Sequence, residues 1–455
     1  MLLLAYVSYR TSKTKTTDAK SYALGGGNLK LGLGILTYCA TLFSTFTLMG
    51  MPDFFRTHGV GAWVFLGITD VAIAFMILFV GIIIHKKFNK YNYYSVGSFI
   101  KDAYQSSFAY FVYIACIFIF LIPYTSIQIK GLSEFLTHVI PFNFSPLYWS
   151  VFMLAVILSY SSVGGFKAIV YSDAIQAIIL LFVIWFIAYY CIDHFGGLSA
   201  MFAKVEQTNP RLLSVPGPHN LFTSQFLISS FIAIVIMPIT QPQLTTRLIA
   251  MKSTASLKQM APATAIFAFI VIFPTIILGM YGAVNYSELP AEEFWAKLLV
   301  LDQNPIVGAL SIIGLIAAAM STTDSQLFAL GNEANIYFEK NKYLHLKTKI
   351  LIFLFAVASL IFAIYSNNQI VPLARLSFAG TALIAPMIIL AIAKGPKSHM
   401  NHLVPIATLL AMLVFLLTYF FNLIPKMIFD LRVDLWLYAI LSLIAGSYYL
   451  ITRKN

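Results

Sequence analysis

The chain has 455 residues, of which 60% are hydrophobic and only 10% are charged. Soluble chains are about 45–50% apolar and about 25% charged, so this composition excludes soluble domains, disorder and collagen-like structure. Repeated apolar runs of about 20 residues favour membrane helices over the ~10-residue strands of an outer-membrane barrel. The composition therefore predicts an all-α polytopic membrane protein.

The net charge of +12 does not indicate a nucleic-acid-binding protein. The basic residues fall in short loops between apolar runs and form no basic face on a soluble domain, so no nucleic-acid partner is expected. Cys39, Cys116 and Cys191 lie in or beside apolar runs without metal-ligand spacing, and we interpret them as core residues.

Apolar runs bounded by glycine, proline and charge predict a single transmembrane domain over residues 1–455, with about twelve full crossings. The predicted crossings lie at 31–53, 60–84, 107–138, 146–163, 168–192, 221–246, 260–284, 305–333, 348–365, 369–393, 402–424 and 432–452. The apolar residues 1–9 are too few to cross, and we expect them to be the end of a shortened leading helix. The sequence does not tell whether this shortened start is native.

When successive loops are assigned to alternate sides, most of the 29 Lys and Arg residues fall on one side. An excess of positive loops marks the cytoplasmic side. We therefore expect a multi-pass protein of the cell inner membrane with a cytoplasmic C-terminus.

Polar residues deep in predicted spans are costly and therefore informative. The deep acids are Asp70, Asp173 and Asp324, and Arg375 is the only deep base of the predicted spans. Arg375 has two interpretations. It either meets a substrate carboxylate or sits at a helix end with its head in the external interface.

Two predicted spans have the composition of an ion site. The first span interleaves hydroxyls with Gly50 and Pro52, which is typical of an interrupted helix with free carbonyls. The eighth span contains the run 321–326, in which five of six side chains carry a hydroxyl or a carboxylate. Hard cations prefer such oxygen ligands, although serine and threonine also bond back to their own helix.

Four stretches of the chain form a distinctive series: ATLFSTFTLMGMP at 40–52, GGFKAIVYSDAIQ at 164–176, PQLTTRLIA at 242–250 and AAAMSTTDSQL at 317–327. These four stretches resemble signatures of the sodium:solute symporter family, and YALGGG at 22–27 is similar to the family's loop before the first of them. The resemblance spans nearly the whole chain. It implies an inverted-repeat fold of two five-helix units with interrupted core helices around a midplane site.

The resemblance also implies a sodium site. Its ligands would be the carbonyls of Ala40, Phe43 and Ala318 and the hydroxyls of Ser321 and Thr322. No cofactor other than sodium, as the coupling ion, is expected.

A second cation site is implied at Asp173, with Ser321 and Ser325. Asp324 stands where the family places a hydroxyl, and two carboxylates near one site repel unless a cation or proton lies between them. One sodium, two sodium ions, and one sodium with a proton therefore remain open.

Substrate candidates follow from matching helix and depth: Ser44, Thr47, Thr69, Asp70, Tyr124, Gln128 and Gln241. Leu42 replaces a polar residue of proline and sugar carriers. Met237 and Pro238 replace the aromatic gate of sugar carriers, so a sugar is disfavoured.

These observations predict a transporter that couples sodium influx to uptake of a small polar solute, a monocarboxylate or an amino acid, by alternating access. Proton coupling through Asp173 or Asp324 and a sensory module are the alternatives. A membrane enzyme is disfavoured because the histidines show no metal-binding spacing. The expected partners are the solute, sodium and the lipid bilayer, and the oligomeric state stays open.

Overall fold

The computed structural model describes residues 23–142, 144–334, 344–366 and 370–453, with backbone only for 160–164 and 344–348. The predicted leading helix at 1–9 lies outside the described residues. The described chain is almost entirely helical. One short hairpin, formed by β1 (Met427–Ile428) and β2 (Leu431–Arg432), precedes the last helix.

The helices follow one another with short connections. They are α1 (Leu31–Leu42), α2 (Phe46–His58), α3 (Ala62–Tyr91), α4 (Val96–Tyr104), α5 (Ser107–Val139), α6 (Pro146–Ser159), α7 (Gly165–His194), α8 (Leu198–Thr208), α9 (Ser224–Val235), α10 (Met237–Thr240), α11 (Pro242–Ala250), α12 (Thr254–Asn285), α13 (Ala291–Ala296), α14 (Pro305–Ala334), α15 (Leu344–Tyr365), α16 (Ile370–Lys394), α17 (Leu403–Tyr419) and α18 (Val433–Arg453).

Among the described residues, seven helices are long and apolar enough to cross a membrane, and the bent pair α1–α2 makes an eighth. The other predicted crossings coincide with shorter apolar helices: α6, α9, α15 and α17. The multi-pass architecture is confirmed, and the count of twelve crossings stays a prediction.

Two predicted spans are broken in the middle. The first is bent by 57° between α1 and α2. The sixth is divided into α9, α10 and α11, with extended backbone at Gln241 and a proline at the start of both later pieces. Proline fits the first turn of a helix because it lacks the amide hydrogen that would be unpaired there.

The two breaks are five spans apart in the chain. A unit of five spans ends on the opposite side of the membrane from its start, so a second copy of the unit begins with inverted topology. The position of the breaks therefore agrees with two five-helix units facing one site at the level of the broken helices.

The break between α1 and α2 packs closely against α5. A Cβ atom at Gly131 would lie 2.7 Å from Cγ2 of Thr45. Glycine at this position is what allows the α5 backbone to reach the break. The helix α14 packs against the α6–α7 segment and α5, and α1 packs against the same segment, so the break, α7 and α14 meet in the core.

Candidate ion and solute site

The break in the first span releases four backbone carbonyls. In a continuous helix the amides of Ser44 to Thr47 would bond the carbonyls of Ala40 to Phe43. Here the Ser44 amide donates to Thr47 Oγ1 at 3.1 Å and the Thr47 amide to the Ser44 carbonyl at 2.8 Å. The amides of Thr45 and Phe46 donate to Gln128 Oε1 and Ser44 Oγ. The four carbonyls thus lose their helical partners, which makes them available to a cation.

The helix α14 brings hydroxyl groups to these carbonyls. Ser321 Oγ lies 2.9 Å from the Ala40 carbonyl and 3.1 Å from the Ala318 carbonyl. The Ser321 hydroxyl therefore lies between carbonyl groups of two helices. Phe43, with extended backbone, follows α1 directly and is buried.

The next residue, Thr322, has a buried hydroxyl with no hydrogen-bond partner in the part of the chain that the structure describes. Its neighbour Thr323 is equally buried, but its hydroxyl donates to the Ala319 carbonyl at 2.7 Å. A buried hydroxyl without a partner costs about 1–3 kcal/mol, so the Thr322 position fits a ligand that is not a protein atom. The geometry at Ala40, Ala318, Ser321 and Thr322 fits a small cation.

Asp173 on α7 lies in a separate buried cluster. Its Oδ2 atom accepts from Arg247 Nη2 at 2.7 Å and from Thr37 Oγ1 at 2.5 Å. The Oδ1 atom is buried without a hydrogen-bond partner among the described residues. Arg247 also donates to Ser325 Oγ at 2.6 Å, so a guanidinium lies between the two residues expected to bind a second cation.

Arg247 corrects the sequence interpretation, which placed it in a cytoplasmic loop and left Arg375 as the only deep base. The structure continues α11 to Ala250 and leaves only 1% of Arg247 exposed. The missed signal is the apolar stretch 248–251, which follows the arginine and continues the helix.

Asp324 is buried beside Ser325, whose hydroxyl lies 3.4 Å from Asp324 Oδ1. Ser321 and Ser325 are one turn apart on α14 but contact different partners, the Ala40 carbonyl and Arg247. The structure therefore separates Ser321 from the Asp173 cluster.

The guanidinium of Arg375 is buried and paired with a protein carboxylate. It donates to Asp434 Oδ2 at 2.9 Å and to the hydroxyls of Ser229 and Ser230 at 2.5 and 2.9 Å. Arg432 binds the same Asp434 oxygen at 2.9 Å. This network joins α16, α9 and α18 rather than facing a solute.

Three substrate candidates stabilise the break itself. Ser44 and Thr47 accept amide hydrogen bonds within it, and Gln128, on α5, accepts one from the Thr45 amide. A fourth candidate, Thr69, bonds within its own helix: its hydroxyl lies within hydrogen-bond distance of the Phe65 and Leu66 carbonyls.

Gln241 lies at the break of the sixth span. Its amide donates to Thr381 at 3.2 Å and accepts from Gln243 at 2.6 Å. It connects α16 to the start of α11.

Tyr124 and Asp70 complete the candidates. Tyr124 bonds Ser44 and packs edge-on against Phe378, with ring centroids 4.9 Å apart. Asp70 is 7% exposed, and within the described residues it has no hydrogen bond or ion pair.

The family model described as "Sodium:solute symporter family" matches residues 22–395. The chain is 24% identical to the sodium/pantothenate symporter of Haemophilus influenzae over 76% of this chain and 69% of that protein. It is also 24% identical to the high-affinity proline transporter PutP of Bacillus subtilis, over 86% of this chain and 84% of that protein.

Solved structures show the same fold. A Na⁺-coupled sialic acid symporter in a substrate-bound outward-open state aligns with a TM-score of 0.78 at 18% identity, covering 99% of this chain and 95% of the other. MhsT in complex with L-phenylalanine aligns with a TM-score of 0.56 at 15% identity, covering 92% and 98%. The inverted-repeat symporter fold expected from the sequence is confirmed.

Proposed function

Because this chain belongs to the sodium:solute symporter family, we propose that it is a membrane transporter that couples sodium influx to the uptake of a small polar solute. The observation that carries the proposal is the unpartnered, buried Thr322 hydroxyl next to Ser321, whose own hydroxyl contacts the Ala40 carbonyl released at the α1–α2 break. No covalent step is needed for this activity.

The coupling sodium ion would be bound by the carbonyls of Ala40, Phe43 and Ala318 and the hydroxyls of Ser321 and Thr322. These ligands come from α1 and α14, so a bound ion holds the broken helix against α14. Because the ion binds only when α1 and α14 are in this arrangement, its binding free energy shifts the population of transporters toward this arrangement. The solute then binds beside the break and favours occlusion.

We infer that one sodium ion is coupled to each solute. The place between Asp173 and Ser325 is taken by the Arg247 guanidinium, which carries the positive charge that a second cation would supply. One sodium ion moving inward gains about 2.3 kcal/mol per 100 mV of potential. A tenfold concentration ratio costs about 1.4 kcal/mol, so this energy supports roughly 50-fold accumulation of a neutral solute.

The proposed orientation places the C-terminus on the cytoplasmic side of a bacterial inner membrane. At one end of the molecule Lys87 donates to the Ile392 carbonyl and Lys394 donates to the Thr452 carbonyl. The basic ends of α3, α16 and α18 therefore meet at the same face, which is the face that the positive-inside rule assigns to the cytoplasm.

The solute class follows from the polar candidates and the relatives. The absence of a sugar-type pattern favours a monocarboxylate or an amino acid, and the relatives named above carry pantothenate and proline. L-proline and pantothenate are therefore the first solutes to test in uptake.

The test compares two neighbouring threonines. Thermal unfolding of the purified protein in detergent is followed over a sodium series, with potassium replacing sodium at constant ionic strength. Sodium should stabilise the wild type, because a ligand at 100 times its dissociation constant adds about 2.7 kcal/mol. Thr322→Ala should lower the sodium affinity at least tenfold. Thr323→Ala removes only a hydrogen bond within α14 and should leave the sodium affinity unchanged.

Equal effects of both substitutions on sodium affinity would contradict the assigned site. A shift in unfolding temperature that follows pH and ignores sodium would instead indicate proton coupling in the same fold.

A further inference from the structure

Asp70 differs from the other buried acids of the described residues. It lies in the middle of α3 and is 7% exposed, yet it makes no hydrogen bond and no ion pair there. The other buried acids have partners: Asp173 with Arg247, Asp434 with Arg375 and Arg432, Glu333 with the amides of Val96 and Gly97, and Asp324 with Ser325.

Two tyrosine hydroxyls, those of Tyr38 and Tyr124, lie within electrostatic range of Asp70. The Tyr38 hydroxyl is itself buried without a hydrogen-bond partner in the described chain. The Tyr124 ring packs edge-on against Phe378, which in turn lies 6.3 Å from the Phe46 ring. Phe46 begins α2, so this group adjoins the break.

In the described ranges of the chain, no Lys, Arg or His side chain forms an ion pair with Asp70. The buried arginines of the described residues are Arg56, Arg247 and Arg375, and each is paired with another aspartate at 2.6 to 2.9 Å. An unpaired carboxylate at membrane depth is costly, and such costs are tolerated at sites where a ligand supplies the missing charge.

The chemistry of the group selects one kind of ligand. A buried carboxylate without a protein partner attracts an ammonium group, because the two opposite charges interact more strongly where water is excluded. The same group disfavours a ligand whose only charge is a carboxylate. The arginine that such a ligand would need, Arg375, is already paired with Asp434.

We propose that Asp70 binds a positively charged nitrogen of the transported solute, so that the solute is an amino acid or another compound with an ammonium group rather than a plain monocarboxylate. The inference rests on the proposed function, since it assigns a role within the same solute site. It narrows the two solute classes left open above to one.

The experiment uses pairs of compounds that differ only in the charged nitrogen. Glycine betaine is compared with 3,3-dimethylbutyrate, and L-alanine with isobutyrate. Each compound is added to the purified wild-type protein at saturating sodium, and thermal unfolding is recorded. We expect at least one nitrogen compound to stabilise the protein, with at least tenfold higher apparent affinity than the partner compound that lacks the charged nitrogen.

The variant Asp70→Asn then tests the residue. It keeps the size of the side chain and removes its charge, so the preference for the nitrogen compound should fall at least tenfold. The stabilisation by sodium alone should persist in this variant, since the proposed sodium ligands lie on α1 and α14. This remaining sodium effect shows that the variant is folded.

Four outcomes are informative in different ways. Equal responses within both pairs, including no response to any of the four compounds, would overturn the solute class while the sodium effect stands. A nitrogen preference that survives in Asp70→Asn would overturn the role of Asp70. Loss of the sodium effect in Asp70→Asn alone would make Asp70 part of a cation site and overturn the proposal. Absence of any sodium effect in the wild type would instead reject the proposed function.

Discussion

Two adjacent regions of α14, at Ser321 and at Ser325, present serine hydroxyls to the core. The two hydroxyls have different polar neighbours. At Ser321 the neighbours are backbone carbonyls and the unpartnered Thr322 hydroxyl. One turn later, Ser325 accepts a hydrogen bond from Arg247, which also pairs with Asp173.

The difference concerns where the positive charge comes from. The Arg247 guanidinium is tethered to α11 and stays in place, so the Asp173 cluster is complete without a ligand charge. The Ser321 region supplies only oxygen atoms, and under the proposed function a cation from solution balances their partial negative charge. A cation from solution can bind and leave during a transport cycle, whereas the tethered guanidinium cannot.

The largest effect is expected from breaking the tethered pair. Arg247→Gln leaves the Asp173 carboxylate buried without its ion partner, and removing one member of a buried pair costs about 3–5 kcal/mol. Thermal unfolding of the purified variant should show this loss in stability.

The matched control for this prediction is the double substitution Asp173→Asn with Arg247→Gln, which removes both charges together. It should recover most of the lost stability, since an uncharged pair needs no charge compensation. A double variant no more stable than Arg247→Gln would mean that the two residues do not act as a unit.

A smaller effect is expected at the other buried pair. Arg375→Gln leaves Asp434 still paired with Arg432 at 2.9 Å, so the cost should be about 1–3 kcal/mol, close to that of unsatisfied hydrogen bonds. The measurement is the same unfolding assay. A loss as large as that of Arg247→Gln would show that Arg432 does not compensate for the missing charge.

The smallest effect is expected at Ser325. Ser325→Ala removes one hydrogen bond from Arg247 and should leave both the sodium affinity and the charge moved per solute unchanged. Currents and solute fluxes of proteoliposomes measure these two quantities. Ser321→Ala, one turn away, should weaken sodium at least tenfold while solute affinity at saturating sodium changes less. Lower charge per solute in Ser325→Ala would indicate a second ion at the Asp173 cluster.

Much of the fold could be predicted from the sequence because membrane helices leave a local signal. Apolar length sets each span, and hydroxyls with Gly50 and Pro52 indicated the interruption of the first one. The run that holds Ser321 and Thr322 stands out because it is polar within an apolar helix, and the resemblance to the family singles out these two residues, whose role as sodium ligands stays a prediction. The burial of Arg247 was harder to predict, because only the apolar stretch 248–251 after it indicates that the helix continues.

The sequence by itself determined which segments are apolar enough to lie in a membrane, where the first helix is interrupted and which polar side chains are candidates for oxygen ligands. These properties depend on neighbouring residues, within about one or two helical turns. The tertiary structure decided which charges neutralise one another. Residues 74 positions apart form the Asp173–Arg247 pair and residues 59 apart form the Arg375–Asp434 pair. Electrostatic pairing depends on distance in space, so only the folded helices reveal that Asp70 has no such partner among the described residues.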